Sequence, residues 1–351
     1  MQMHLTIAIF FLITVLIAFF EERLKDSHKI IILAGYVLFM LFLATTKSID
    51  HTADASAYEA YFYKNDNPLI EIMTEPTFIY LSRLVLSLGG TIVTMFFIYA
   101  CISIPLKIVC ISKMTPHVFT ALLIYIPIYF ELQDMIQIRA AAAATFGLAS
   151  LIPLAKKQYI IATILIILGT LFHYSAAVYL LLLFIGNMKL SKRWRISIAT
   201  ILPFFIILSL LKKDLLSFIP SFLMYGKVDF YKEATEKGEW GGGFSPYYML
   251  YVYIKCIVLY AILYYYNLII SKNRYATILI NAFTVSILIV FSLSTIPVLA
   301  GRLSELFGIV DCIVFTFILY IVVPPYIAKL SVVFTGIYMI LYAILFTEYF
   351  T

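Results

Sequence analysis

The sequence predicts an all-α fold, a polytopic integral membrane bundle of about 12 transmembrane helices with some of them short or broken. Three observations predict it. Of 351 residues, 63% are hydrophobic and 13% charged, with a mean hydropathy of +1.01, whereas a water-soluble domain carries about 25% charged residues. The apolar runs approach the length of about 20 residues that a hydrocarbon core about 30 Å thick demands. They also lack the alternation of lipid-facing barrel strands, so each span must satisfy its backbone hydrogen bonds internally, as a helix. Residues 1–351 therefore read as a single polytopic membrane domain in which no soluble catalytic domain fits.

The apolar runs place spans at 4–20, 30–46, 91–111, 118–133, 139–154, 159–173, 174–186, 196–211, 247–270, 276–298, 304–323 and 326–347. The first lacks a basic leading region and a small-residue cleavage site, and is expected as a retained helix. Short connections rich in Lys and Arg (Arg23, Lys25 and Lys29; Lys113; Lys156 and Lys157; Lys189 to Arg195; Lys272 and Arg274; Lys329) are cytoplasmic by the positive-inside rule. The longer acidic or neutral loops, 47–75 and 212–246, are then external. The run 76–88 rises only about 20 Å, too short to cross, and is expected as a half-helix or re-entrant segment with Pro76 in its first turn. The alternative keeps it as a crossing and puts the 47–75 loop inside. Residues 159–186 read as two half-length pieces meeting at His173. Broken helices at membrane depth are tolerated only against protein or water, which predicts a polar cavity.

The remaining composition excludes several function classes. The net charge of +6 is dispersed at the ends of apolar runs and reads as topology signal, so no nucleic-acid partner is expected. Cys101, Cys110, Cys256 and Cys312 lie in apolar segments without metal-ligand or redox spacing. With no nucleotide-binding glycine motif and no HExxH, neither a cofactor nor a metal is expected. The segment Trp240-Gly-Gly-Gly-Phe244 reads as a solvated loop, with a substrate lid as its functional alternative.

Charges inside or at the mouth of a span cost about 2.5–3.5 kcal/mol on insertion scales and so mark candidate sites. Arg139 opens an alanine-rich helix suited to close packing. Arg302 opens another, with Glu305 one turn along on nearly the same face. His173 sits between two apolar runs, and Glu131 and Asp134 border the span before Arg139. In the predicted topology Arg139, His173, Arg302 and the acidic 47–75 loop share the outer ends of their helices. Within that loop Asp54 and Glu75 stand out, because each precedes an organised stretch. Arginine pairs bidentately with phosphate and stays charged when partly buried, so this set suits a substrate with a phosphate to bind and a hydroxyl to deprotonate. The alternative makes the arginines snorkelling anchors and His173 a packing residue.

The order of these features resembles the EpsG-like group of bacterial polysaccharide polymerases, the Wzy-type repeat-unit polymerases of O-antigen and capsule. The resemblance runs over nearly the whole chain: Glu21-Glu-Arg-Leu-Lys25 between two spans, Asp54xxxTyr58 with Tyr61-Phe62, Glu75-Pro76, Lys107, Ile138-Arg139, Phe172-His173-Tyr-Ser175 and Arg302xxGlu305. It departs from the pattern at Thr45-Thr-Lys47, where a Gly-Phe-Arg-like stretch is common, and at Ala140, where glutamine is common.

The resemblance implies a glycosyltransferase, built like a lipid-donor glycosyltransferase bundle, in the bacterial inner membrane with its active site facing outward. Donor and acceptor would be oligosaccharides linked to undecaprenyl diphosphate, joined into O-antigen, capsule or exopolysaccharide, with a chain-length regulator as a further partner. Such a reaction needs a base for the acceptor hydroxyl and cations for the departing diphosphate. The assignment that follows makes His173 or Asp54 the base, and gives Glu75 and Glu305 the task of orienting arginines or sugar hydroxyls. Arg139 and Arg302 would clamp the diphosphate, with Tyr58 and Lys107 as further substrate contacts. Two rivals remain: a flippase of lipid-linked sugars, which would use the same cavity without chemistry, and a membrane O-acyltransferase based on His173, which leaves the arginines without a task.

Overall fold

The computed structural model describes residues 2–49, 52, 54–66, 74–213 and 244–346. The external loop expected at 212–246 lies mostly outside the described residues, and of the glycine-rich segment only Phe244 falls within them. Among the described residues the secondary structure is helical throughout. In chain order the helices are α1 (Gln2–Phe20), α2 (Asp26–Thr45), α3 (Ala55–Tyr63), α4 (Pro76–Ser87), α5 (Ile92–Met114), α6 (Val118–Ile124), α7 (Ile138–Ala155), α8 (Tyr159–Phe172), α9 (Leu181–Ile185) and α10 (Lys192–Leu210). After the undescribed loop come α11 (Pro246–Tyr264), α12 (Tyr266–Lys272), α13 (Ala276–Ser292), α14 (Pro297–Gly308), α15 (Asp311–Val314) and α16 (Pro325–Phe346).

Eight of these segments are long and apolar enough to cross a membrane, or nine if α14 and the stretch Asp311–Tyr320, bent by 53°, count as one broken span. The chain is thus a multi-pass membrane bundle, but the expected count of 12 is not reproduced. The apolar helices Tyr159–Phe172, Tyr174–Ile185 and Ala276–Ser292 are each 17 residues or fewer and rise at most about 25 Å. Ala276–Ser292 is apolar because it packs against other helices, whereas Tyr159–Phe172 and Tyr174–Ile185 keep exposed apolar side chains on helices too short to cross; hydropathy distinguishes neither from a full span. The expected span 247–270 breaks at Tyr265, and the one placed at 304–323 begins at Pro297 and breaks after Gly308. A Cβ at Gly308 would stand 2.6 Å from the Tyr129 hydroxyl, so this break is where a neighbouring phenol presses against bare backbone.

Two other expectations hold. The chain leaves the α-helix at His173, which is extended at φ −158°, ψ 117°, and continues as a 3₁₀ turn over Tyr174–Leu180. The segment after Glu75 is a 12-residue helix, α4, with Pro76 in its first turn. Within the expected external loop 47–75, however, α3 is no solvated face: Tyr58 and Phe62 are buried with Phe78, Phe96 and Tyr99 in a second core beside the main one. That core props α3 and α4 over the start of α7.

Small residues set a close helix contact. Ala142, Ala143 and Ala144 are fully buried on α7, and a Cβ at Gly169 of α8 would lie 3.1 Å from the Ala143 carbonyl oxygen. Backbones approach this closely only where side chains are small. The contact fixes the C-terminal end of α8 against the N-terminal part of α7. At the other end of the bundle, Glu21 accepts from the backbone N–H groups of Phe119 and Thr120 at 3.0 and 3.3 Å, capping α6. Lys329 of α16 donates to Glu22 and to the Ala18 carbonyl at 2.8 and 2.7 Å, which ties α1 and α16 into the same clasp.

The span that begins with α6 does not stay α-helical: Tyr125–Ile136 is a π-helix. π-Helical turns are rare and frequent at functional sites. This one carries Tyr125, Tyr129, Glu131, Gln133 and Asp134 into the bundle, and its end delivers the chain to Arg139.

Candidate functional site

Glu75 is the hub of the site. It precedes α4, where an extended backbone (φ −67°, ψ 145°) turns into the helix, and its side chain is buried. One carboxylate oxygen accepts from Arg139 Nη1 at 2.5 Å, and the other meets His173 Nδ1 at 2.7 Å. Three distant segments are thereby joined: the loop before α4, the first turn of α7 and the break after α8. Burial opposes ionisation of Glu75, but the hydrogen bond from His173 and the charge of Arg139 outweigh it and hold the carboxyl below its ordinary value. With Nδ1 committed to Glu75, His173 has Nε2 left for other chemistry, and its tautomer is set by the carboxylate.

Aromatic faces support the arginine. Its guanidinium carbon lies 5.3 Å from the centroid of Tyr58 and 5.8 Å from that of Phe78, a cation–π cradle supplied by α3 and α4. Burial pushes the Tyr58 phenol up to about 12 against the pull of Arg139, so Tyr58 stays protonated near neutrality.

The other predicted residues gather around two adjoining cavities. The smaller, about 80 Å³, is lined by Asp54, Tyr58, Arg139, His173, Arg302 and Glu305, with Gln133 and Gln137 among its polar walls. The larger, about 450 Å³, shares Asp54, Gln137, Arg302 and Glu305 with the first and continues between α11, α14 and α16 past Tyr129, Tyr248, Tyr251 and Lys255. Arg302 does not open its helix as expected: it sits midway along α14, which begins at Pro297, with Glu305 one turn further on, and both look onto the two cavities. Asp54 reaches the junction from a left-handed backbone position, φ 63°, which aspartate tolerates better than most residues.

Seven of the eight predicted site residues therefore converge, Glu75 from directly behind the cavity wall. Lys107 does not join them. Its side chain is fully buried on α5 and pairs with Asp134 at 2.9 Å, also donating to Gln133 at 3.1 Å. Ser103 and Tyr125 complete the shell of Asp134 at 2.6 and 2.7 Å. Lys107 is a partner inside the bundle that fixes the π-helix and, through it, Gln133, whose amide donates to the Glu305 carbonyl oxygen at 3.1 Å.

Sequence reasoning missed three groups. Lys47 donates to the Met135 carbonyl oxygen and lies 4.1 Å from the Phe96 centroid; burial lowers its ammonium to about 7 despite the opposing charges of Asp54 and Asp134. Lys255 and Asp311 form a second buried ion pair at 2.9 Å. Each of these last two is a charge within an apolar run, the signal that identified Arg139.

The chemistry this arrangement can perform follows from its parts. Two arginines beside a cavity too small for a ligand of ordinary size can hold a phosphoryl group. A carboxylate-oriented imidazole can take a proton from a hydroxyl. The adjoining cavity, within the usual range of about 300–1,000 Å³, can hold a larger organic group. A family model described as EpsG family matches residues 30–351. No curated protein and no solved structure matches the chain.

Proposed function

The chain belongs to the EpsG family, membrane proteins of polysaccharide biosynthesis, and from that premise we propose that it is a polymerase of lipid-linked glycan repeat units. It joins oligosaccharides carried on undecaprenyl diphosphate, at the outer face of the bacterial inner membrane. The observation that carries this reading is the convergence on one cavity junction of Arg139, Arg302, Glu305, Asp54 and the Glu75–His173 couple.

In the proposed step an acceptor sugar hydroxyl loses its proton to His173 Nε2 as its oxygen bonds the anomeric carbon of the donor. The bond from that carbon to the diphosphate oxygen breaks, and the lipid diphosphate leaves with the electron pair. Arg302, and Arg139 on its aromatic cradle, neutralise the charge that develops on it. Glu75 is a positioning residue, which holds His173 in one tautomer and one orientation, as a carboxylate does in other histidine-based sites. Asp54 at the junction is the alternative base. The donor is already activated by its diphosphate, which agrees with a sequence that carries no nucleotide-binding motif.

The discriminating experiment removes the gene and follows the lipid-linked intermediates. A polymerase deficit leaves single lipid-linked repeats exposed outside the membrane, because export continues and joining stops. Single repeats retained on the cytoplasmic side would instead establish the flippase reading and overturn this one.

A further inference from the structure

Resting on the polymerase reading, the larger cavity can be assigned its own ligand. We infer that it is a subsite for a neutral, hydroxyl-rich sugar of the acceptor chain, recognised through hydrogen-bond acceptors that Asp311 sets in place.

Asp311 is fully buried at the start of α15 and does not line the cavity. Three groups that do line it converge on one of its oxygens: the Tyr129 hydroxyl donates at 2.6 Å, the Tyr251 hydroxyl at 2.8 Å, and the Lys255 ammonium pairs at 2.9 Å. A phenol has a single proton. With that proton given to Asp311, each tyrosine oxygen can only accept from a ligand. Two of the three N–H groups of Lys255 go to Asp311 and, at 2.8 Å, to Ser286, and its charge is balanced by Asp311. The two phenol oxygens therefore act as acceptors beside an ion pair with no net charge, and the Glu305 carboxyl adds acceptor capacity. A phosphate or a carboxylate, which carries acceptors only, finds its cation at Arg302, where the two cavities meet, and not among these groups. A sugar ring, with several hydroxyl donors, finds its complement among them.

The remaining wall suits the ring itself. Phe244 and Tyr248 stack on one another with centroids 5.3 Å apart, and Tyr342 lies beside them on α16. Broad aromatic faces beside hydrogen-bonding tips combine an apolar surface with polar handles, as the two sides of a pyranose require. The small cavity, by contrast, holds the two arginines. The site is thus divided by charge: diphosphate on the arginine side, neutral sugar on the Asp311 side, with Arg302 and Glu305 at the seam.

The test uses the full chain in lipid nanodiscs with two soluble probes, inorganic diphosphate and the delipidated, uncharged repeat oligosaccharide released from the host polymer. Binding of each is measured by calorimetry for the wild type, Tyr129→Phe, Tyr251→Phe and Asp311→Asn. The expected result is that each phenylalanine variant and Asp311→Asn weaken oligosaccharide binding at least tenfold and leave diphosphate binding within twofold, which also shows that the fold is retained. Oligosaccharide binding unchanged in both phenylalanine variants would overturn the subsite. So would a wild type that binds diphosphate and not the oligosaccharide, although the polymerase reading would survive that result. Loss of both probes in Asp311→Asn alone leaves the decision with the two phenylalanine variants, which keep ring and packing. Failure of the wild type to bind diphosphate counts against the polymerase reading and leaves the sugar subsite to be judged on the oligosaccharide alone.

Discussion

Glu75 and His173 stand 98 residues apart in the chain and meet at 2.7 Å. The meeting needs every local feature around it: Pro76 starting α4 immediately after the carboxylate, the helix break that turns His173 out of α8, and the Gly169 contact that draws α8 against α7. The same carboxylate holds Arg139, so a single group sets both the proposed base and one of the proposed anion-binding cations.

Replacing Glu75 by glutamine keeps its shape and removes its charge. Arg139 is then left without its counter-ion, and breaking a largely buried pair costs about 3–5 kcal/mol; some exposure of Arg139 favours the lower end. Polymer length should fall sharply, and the purified variant should melt below wild type. Retention of full-length polymer by Glu75→Gln would remove the positioning role.

The same substitution yields a pH signature. Glu75 is held below its ordinary value of 4.5, so the folded state binds fewer protons than the unfolded chain as the carboxyl titrates. Its stabilising contribution is then fully present above the unfolded value and is lost as pH falls through the folded one. The melting-temperature gap between wild type and Glu75→Gln should be level between about pH 5 and 8 and close only in stronger acid. A gap that closes already near neutrality would contradict an ionised Glu75 bound to Arg139.

How far the site was legible follows from which residues stood out against their surroundings. Arg139, His173 and Arg302 are polar interruptions of apolar sequence, and Glu75 precedes a proline, so all four could be read directly. Lys255 and Asp311 give the same signal but sit mid-run with long apolar flanks, and were absorbed into spans. Lys107 shows the converse, because a charge in a span marks either a ligand contact or an internal partner, and only the neighbour Asp134, 27 residues away, separates the two. The π-helix at Tyr125–Ile136 has no periodicity rule of its own in the sequence. The helix count failed for a related reason, since Ala276–Ser292 is as apolar as a lipid-facing span while most of it is buried among other helices.

The buried position of Lys107 makes a test by paired substitution. Lys107→Met alone leaves Asp134 charged and unmatched, and membrane abundance should drop by the mechanism that makes half of a buried pair destabilising. Lys107→Met with Asp134→Leu removes both charges and should recover abundance, because apolar replacement of a whole buried pair is often neutral. Polymer produced by the recovered double variant would show that Lys107 acts on the fold; a double variant that is abundant but inactive would restore it as a substrate contact.

Topology can be read chemically. Cysteines placed at the exposed Ser56 on α3 and at Lys157 between α7 and α8, in a background without the native four, should label differently with an impermeant maleimide. Ser56→Cys should react in intact spheroplasts and Lys157→Cys only after lysis. The reverse pattern would put the cavity junction on the cytoplasmic side and exclude an outer-face reaction.

Arg302 carries the sharpest prediction about chemistry. It is the arginine placed on the wall common to both cavities, midway along α14. Lysine at this position keeps the charge and can still reach the membrane interface, since its stem is long and flexible. What it cannot reproduce is the planar fork that holds two phosphate oxygens at once. If Arg302 serves only as an anchor, Arg302→Lys makes polymer of normal length. If it neutralises the departing diphosphate, one oriented contact to transition-state charge is lost, typically about 2.7–4 kcal/mol or 10²–10³ in rate, and long chains vanish from a gel while protein abundance is unchanged. Arg139→Lys should be as damaging through a different route: the ammonium can still pair with Glu75 but cannot spread across the faces of Tyr58 and Phe78. Oligosaccharide binding should therefore persist in both lysine variants while diphosphate binding weakens. Normal chain length in Arg302→Lys would end the diphosphate assignment at its strongest point.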